Sequence, residues 1–148
     1  MKRWLRNAMF GAGLTLAAAQ LHRPEMQNPP VDPARSLWND KSIDPRVASV
    51  LRRACADCHS HETKWPWYSK VSPIGWSVHR HVIDGRAKLN FSDWSGSSPD
   101  QIEEIYGSVS KGKMPLRGYA MMHPEARLSA ADRELLRSWA DGQLALVK

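Results

Sequence analysis

Two cysteines separated by two residues, with a histidine directly after the second, constrain this chain more than any other feature. The stretch Cys55-Ala56-Asp57-Cys58-His59 contains both cysteines of the 148 residues. C-x-x-C-H is the attachment sequence of c-type haem. Each thiol adds across one vinyl group of the porphyrin, and the imidazole of the next residue binds the iron. The sequence therefore predicts one covalently bound haem c, held by Cys55 and Cys58, with His59 as an axial ligand.

A redox-active pair, a zinc site and a chance match are weaker interpretations of the motif. A thioredoxin-like pair needs a strand before it and a helix after it. Here a helical pattern precedes Cys55, and a stretch rich in Trp and Pro follows His59. A zinc site needs further ligands, and the chain has no second pair of cysteines. Chance accounts poorly for the motif, because both cysteines of the chain fall in it.

The second axial ligand of the iron is expected downstream of the motif. Met114-Pro115 follows Gly112-Lys113 at the end of a predicted helix, and small c-type cytochromes bring a thioether to the iron with such a Met-Pro. The alternative is a core methionine, since Met commonly fills protein interiors. We predict Met114 as the ligand; its rivals are Met121, Met122, His79, His81 and His123.

The first 21 residues have the layout of an export signal. A basic start with Lys2, Arg3 and Arg6 is followed by an uncharged stretch over residues 7–21, and the alanines at 17–19 provide a cleavage site. A buried helix and a retained membrane anchor are the alternatives, although the apolar stretch is shorter than the roughly 20 residues that span a bilayer. In either exported form the rest of the chain is expected on the periplasmic side.

Charge limits the partners of the chain. The formal net charge is +6, and three of the positive charges lie in the predicted signal, which leaves a mildly basic remainder. No run of Lys and Arg interleaved with aromatic residues is present, so nucleic acid is not an expected partner. The mildly positive net charge is compatible with an acidic redox partner protein and equally with anionic lipid head groups. The N-terminal segment is a possible membrane tether.

The remaining chain divides into a Pro-rich linker over residues 22–43 and a domain over residues 44–148. Four helices are predicted in the domain from start signals, which are Asp44-Pro45, Ser72-Pro73, Ser98-Pro99 and Ser129. Their inner faces follow from helical apolar spacing: Val47, Val50, Leu51 and Ala54; Ile74, Val78 and Val82; Ile102, Ile105, Tyr106 and Val109; and Leu135, Leu136 and Trp139. No segment shows sustained strand alternation, so the fold class is predicted to be all-α.

From Asp44 to its end, the chain resembles the small haem-binding domain family of bacterial c-type cytochromes. The stretches that carry the resemblance are CADCHS at 55–60, TKWPWYS at 63–69, HVIDGRAKLNFSDW at 81–94, MPLRGY at 114–119 and HPEARL at 123–128. The N-terminal segment followed by Arg23-Pro24 also looks like the anchor and linker of that family. The resemblance implies a monohaem, cytochrome c-like helical domain facing the periplasm, and it supports Met114 as the distal ligand.

Further residues are predicted to line the haem pocket. Trp65, Trp67 and Tyr68 follow the motif closely and are expected to wall the haem edge. Guanidinium and indole N–H groups suit carboxylates, so Arg86 and Trp94 are candidates for hydrogen bonds to the haem propionates. His81 is a further pocket residue, with a structural hydrogen-bonding role favoured over iron ligation.

One-electron transfer is the predicted function, since two protein ligands leave no iron site for a substrate and a Met/His pair gives a high potential. The protein is then a carrier and not an enzyme. The alternatives are a peroxidase-like haem enzyme with an open iron site and a haem-based sensor, although no signalling domain is recognisable in the chain.

Overall fold

The computed structural model describes residues 2–96 and 98–145, and within these ranges it contains helices and no strand. The α-helices of this part of the chain are α1 (Lys2–Ala19), α2 (Pro45–Ala54), α3 (Ala56–His59), α4 (Ile74–Lys88), α5 (Pro99–Ser110), α6 (Arg117–Met122) and α7 (Ala130–Ala145). The all-α prediction is confirmed, and the four predicted helices correspond to α2, α4, α5 and α7.

The predicted start signals cap three of these helices. The Asp44 carboxylate accepts a hydrogen bond from the Arg46 amide, and proline occupies the first position of α2. At α5, Ser98 and Gln101 form a reciprocal capping box, which satisfies amides that have no partner in the first turn. Ser129 and Asp132 exchange the same kind of bonds at the start of α7.

The hydrophobic core lies between α2, α5 and α7. Its apolar side chains include most of the predicted inner faces of these helices, with Tyr106 and Leu135 partly buried against them. Phe91 and Trp94 from the 3-10 segment Phe91–Gly96 also belong to it. The Pro-rich segment also contributes, because Leu37 is 1% exposed and Ile43 is 6% exposed. The sequence did not predict this contribution, since short 3-10 turns at Pro33–Arg35 and Leu37–Asn39 carry no helical periodicity.

The buried residues of helix α4 differ from the inner face that the sequence predicts. Val82 is buried as expected, but the prediction that Ile74 lies inside is wrong, because Ile74 is 51% exposed. The other buried positions of α4 are Gly75 and Gly85. These glycines allow the backbone of α4 to contact the backbone of neighbouring segments. Because glycine has no apolar side chain, the spacing of apolar residues did not indicate this contact face.

The segment after α1 runs along α4 through specific hydrogen bonds. The Gln20 side-chain amide bonds to both backbone groups of Ser72, and the Trp76 indole donates to the carbonyl of His22 at 2.7 Å. Asn28 donates to the Thr63 carbonyl at 2.9 Å. Among the helices that the structure describes, none is both long and apolar enough to cross a membrane.

Candidate cofactor site

The two cysteines and the histidine of the motif lie on one helical turn. Helix α2 ends at Ala54, and Cys55 leaves the helical conformation before α3 begins at Ala56. The amides of Cys58 and His59 both donate to the Cys55 carbonyl, at 3.1 and 3.0 Å. This turn places the two sulfur-bearing side chains and the imidazole close together at the junction of two helices.

Gly85 lets α4 approach the motif turn. A Cβ atom added at Gly85 would lie 2.5 Å from the carbonyl oxygen of Cys58. This separation is shorter than any tolerable contact, and the neighbouring atom belongs to the backbone and cannot rotate away. Only glycine permits the observed packing of α4 on α3.

We expect Gly85→Ala to lower the free energy of unfolding by about 1–3 kcal/mol, because the methyl group forces α4 away from the motif turn. Denaturant unfolding followed by circular dichroism measures this change. Gly107→Ala is the matched control, since a Cβ at Gly107, inside α5, meets no atom within 4 Å. Equal stability of the two variants would contradict the close packing at Gly85.

Three adjoining cavities meet at the motif turn. The motif cavity, of about 210 Å³, is lined by the two cysteines, His59, α4 and the chain after α5. The α5 cavity, of about 220 Å³, shares with it Cys55, His59, Lys88 and Met114. The α6 cavity, of about 560 Å³, shares with the motif cavity Cys58, His81, Leu116 and Tyr119. Because neighbouring cavities share lining residues, the three together form one cleft, and its size is that of a cofactor-binding site.

Both thiols are held in the neutral form. Burial raises the pKa of Cys55 to about 12 and the pKa of Cys58 to about 11. Nucleophilic attack in disulfide exchange requires a thiolate, so the raised pKa values disfavour a redox-active pair. Among the described residues, no group of three or more His, Cys, Asp or Glu side chains is arranged to hold a metal ion.

The His59 ring is oriented by a backbone carbonyl. Its Nδ1 lies 3.1 Å from the Leu89 oxygen, and because a carbonyl only accepts, Nδ1 carries the proton and Nε2 has a free lone pair. Burial lowers the pKa of His59, which keeps the ring neutral. A neutral imidazole whose other nitrogen is fixed by a carbonyl is the usual form of an iron or zinc ligand.

Met114 lines the motif cavity and the α5 cavity, together with Cys55 and His59. Gly112 adopts a positive φ of 65° after α5, as expected for a helix stop. The amides of Lys113 and Met114 then both donate to the Ser108 carbonyl. The chain is thereby turned back so that Met114 reaches the cleft.

The rivals of Met114 lie in different environments. Both ring nitrogens of His123 have partners, Tyr68 and Glu125, and His79 stacks on Trp65. Met121 is 69% exposed. Met122 lines only the α6 cavity of the three, whereas His81 lines the motif and α6 cavities.

Three of the predicted pocket residues reach the cleft. Trp67, Tyr68 and His81 line the α6 cavity, and Trp67 remains 73% exposed. The hydrogen-bonding role favoured for His81 is not seen, because its exposed ring is bonded to no side chain or backbone group in the described part of the chain. His81 instead forms part of the wall between the motif and α6 cavities.

The other three predicted pocket residues, Arg86, Trp94 and Trp65, do not line any of the three cavities. Arg86 donates to the carbonyl of Ser60, the hydroxyl of Thr63 and the side chain of Asn28, so it braces the loop after the motif. Trp94 is 9% exposed and packs in the core against Phe91 and Trp139. Trp65 packs against His79.

Several cleft residues were not predicted individually. Leu116 and Tyr119 belong to the stretch MPLRGY, which carries part of the family resemblance. That resemblance was the available sequence signal for these two residues. Lys88 lines two of the cavities, and Phe91 lies 6.1 Å from the His59 ring. Lys88 and Phe91 also lie within the stretch at 81–94 that carries part of the family resemblance, so the same signal was available for them.

Comparison with known proteins agrees with this geometry. The model of the haem-binding domain family matches residues 14–142, most of the chain, and the chain therefore belongs to the haem-binding domain family. No curated protein and no solved structure is significantly similar. Two neutral thiols and an imidazole with a free nitrogen, beside a cleft walled largely by apolar side chains, fit a haem. The protein therefore binds haem, and its secondary structure is helical throughout the part of the chain that the structure describes.

Proposed function

We propose that the chain is a monohaem c-type cytochrome with a cytochrome c-like fold, in which Cys55 and Cys58 form thioether bonds to haem. The observation that carries the proposal is the placement of both thiols and His59 on one turn, lining the same cavity. Raised thiol pKa values keep the sulfurs protonated until they react. When bound, haem supplies an iron that alternates between ferrous and ferric states.

His59 and Met114 are the proposed axial ligands. His59 provides the free Nε2 that the Leu89 carbonyl leaves unprotonated, and Met114 lines the same two cavities as His59. A thioether favours the ferrous state and raises the potential, and a filled coordination sphere leaves no substrate position. Electron transfer is therefore the proposed activity, in preference to an open-site enzyme or a sensor.

Covalent attachment is tested by co-expression with a c-type maturation system. The protein should retain haem-dependent peroxidase staining on a denaturing gel, because thioether bonds survive denaturation. Acid extraction should leave the haem on the protein. Complete loss of haem to the acid solvent would show that binding is non-covalent.

We further propose that the protein works on the periplasmic side, with residues 1–21 as an export signal. The basic start and the uncharged stretch that forms most of α1 support this location. The proposed partner is a redox protein with an acidic docking surface, since the α5 cavity is lined by two lysines, Lys88 and Lys113, against one acidic residue, Glu104.

A fusion of residues 1–30 to a reporter active only outside the cytoplasm should be active, because a basic start followed by an apolar stretch directs export. Replacing Lys2, Arg3 and Arg6 by glutamate should abolish this activity. N-terminal sequencing of the mature protein then tests cleavage after Ala19. A reporter that is active only in the cytoplasm would contradict the proposed location.

A further inference from the structure

We propose that a hydrogen bond between Tyr119 and Asp57 latches the chain segment that carries Met114 onto the motif turn, making these two residues a positioning pair for the distal ligand. The inference rests on the proposed ligation by Met114. It concerns a residue inside the C-x-x-C-H motif, Asp57, whose identity the attachment chemistry does not specify.

Asp57 connects three parts of the cleft. Its Oδ2 accepts a hydrogen bond from the Tyr119 hydroxyl at 2.8 Å, and its Oδ1 accepts from the Lys64 amide at 3.0 Å. The Asp57 carbonyl accepts from the Thr63 hydroxyl at 2.6 Å. The carboxylate thus joins the motif turn to the following loop and to α6 at once.

Tyr119 lies on α6, five residues after Met114, and its side chain lines both the motif and the α6 cavities. Burial and the bond to Asp57 raise the pKa of Tyr119, so the phenol stays protonated and donates to the carboxylate. Hydrogen bonds from a neutral donor to a charged acceptor are stronger than those between neutral groups.

A stacking contact with a second aromatic ring also fixes the orientation of the Tyr119 ring. The His123 ring stacks on it, with centroids 4.3 Å apart and planes 17° apart. His123 is itself fixed by Tyr68 at 2.8 Å and by Glu125 at 3.0 Å. The hydroxyl therefore points at Asp57 from an oriented ring, as a positioning contact requires.

The chain between Met114 and Tyr119 is short, and hydrogen bonds hold both of its ends. The Met114 amide donates to the Ser108 carbonyl at 3.2 Å, and Arg127 donates to the Ala120 carbonyl at 2.9 Å. The bond from Tyr119 to Asp57 joins this segment to the motif turn. Helix α6 spans six residues and has no buried residue, so apolar packing contributes little to its position. Without the bond to Asp57, the methionine segment would move away from the motif turn more often. The iron would then lose its distal thioether for a larger fraction of the time, and an external ligand would enter faster.

Stopped-flow binding of carbon monoxide to the ferrous holoprotein tests the latch. We expect Tyr119→Phe to bind carbon monoxide about tenfold faster than the wild type, with a weakened Met-to-iron charge-transfer band in the ferric form. Tyr106→Phe is the matched control, because it removes a hydroxyl from a half-buried tyrosine on α5 that lines none of the three cavities.

Asp57 variants separate positioning from general destabilisation. Asp57→Ala removes the bond to Tyr119 and also the acceptor of the Lys64 amide, so it should bind carbon monoxide at least as fast as Tyr119→Phe. The double variant should be no faster than Asp57→Ala, because both changes remove the bond between Tyr119 and Asp57. Asp57→Asn keeps an oxygen acceptor and should restore slow binding in part. All variants should retain covalent haem on a denaturing gel.

Two outcomes overturn the proposal and are distinguishable. Slow carbon monoxide binding in both the wild type and Tyr119→Phe, with the charge-transfer band intact, rejects the latch and leaves Met114 ligation standing. Rapid binding and no such band in the wild type reject Met114 ligation, and the latch with it.

Discussion

Replacing both Cys55 and Cys58 by alanine is expected to abolish covalent haem completely. Without thiols no thioether can form, so the denatured double variant should show no peroxidase staining and an intact mass equal to that of the polypeptide. Each single variant should keep one bond and stain at a reduced level. His59 still provides its imidazole in all three variants, and noncovalent haem bound before denaturation is expected to be weaker and extractable with acid.

Cys→Ser variants of the same two positions provide the matched control. Serine keeps the shape of the cysteine side chain with a hydroxyl in place of the thiol and forms no thioether, so these variants should behave like the alanine variants. Wild-type staining in any double variant would contradict attachment through this motif.

Met114→Ala is expected to lower the reduction potential on the order of 0.1 V, since axial ligands set haem potentials over a range of about 0.8 V. The loss of the thioether removes a ligand that favours ferrous iron. The variant should also lose the Met-to-iron charge-transfer band and bind carbon monoxide rapidly. Potentiometric titration and absorption spectroscopy measure these changes.

Met121→Ala is the control for Met114→Ala. Met121 is 69% exposed, and its truncation should leave the potential and the charge-transfer band unchanged. If the two variants behave alike and both resemble the wild type, Met114 is a packing residue. The open-site enzyme would then be the better functional proposal.

The features that depend on local chemistry were predictable from the sequence. The C-x-x-C-H spacing alone indicated that Cys55, Cys58 and His59 form a candidate haem-binding group, and the structure places all three at the same cavity. Helix starts at Asp44, Ser98 and Ser129 followed from capping residues, whose bonds involve neighbours two or three positions away. Such interactions are contained within a short stretch of chain and can be inferred from the stretch itself.

The residues that the sequence misplaced depend on long-range packing. Arg86 was a candidate for a propionate bond, and in the structure its guanidinium bonds to residues 23 to 59 positions away. Trp94 was expected at the haem, but it completes the core with Trp139. Leu37 was assigned to a linker, although it is almost fully buried. These contacts join residues that are far apart in the chain, so neither helical periodicity nor a local motif indicates them.

The glycines of α4 show a further limit of sequence interpretation. Gly75 and Gly85 fall inside a helix, where glycine costs stability, and nothing in the sequence identifies the backbone that each approaches. The structure shows that Gly75 adjoins the Ser69 carbonyl and Gly85 the Cys58 carbonyl. The cost in helix propensity is offset by close packing against the loop and the motif turn.

The most direct test of the central claim is the absorption spectrum of the purified holoprotein, oxidised and reduced, with and without carbon monoxide. A low-spin c-type spectrum, a Met-to-iron charge-transfer band in the ferric form and slow, limited carbon monoxide binding are the predicted result for haem c held by His59 and Met114. A five-coordinate spectrum with rapid carbon monoxide binding would contradict the account of this protein as an electron carrier.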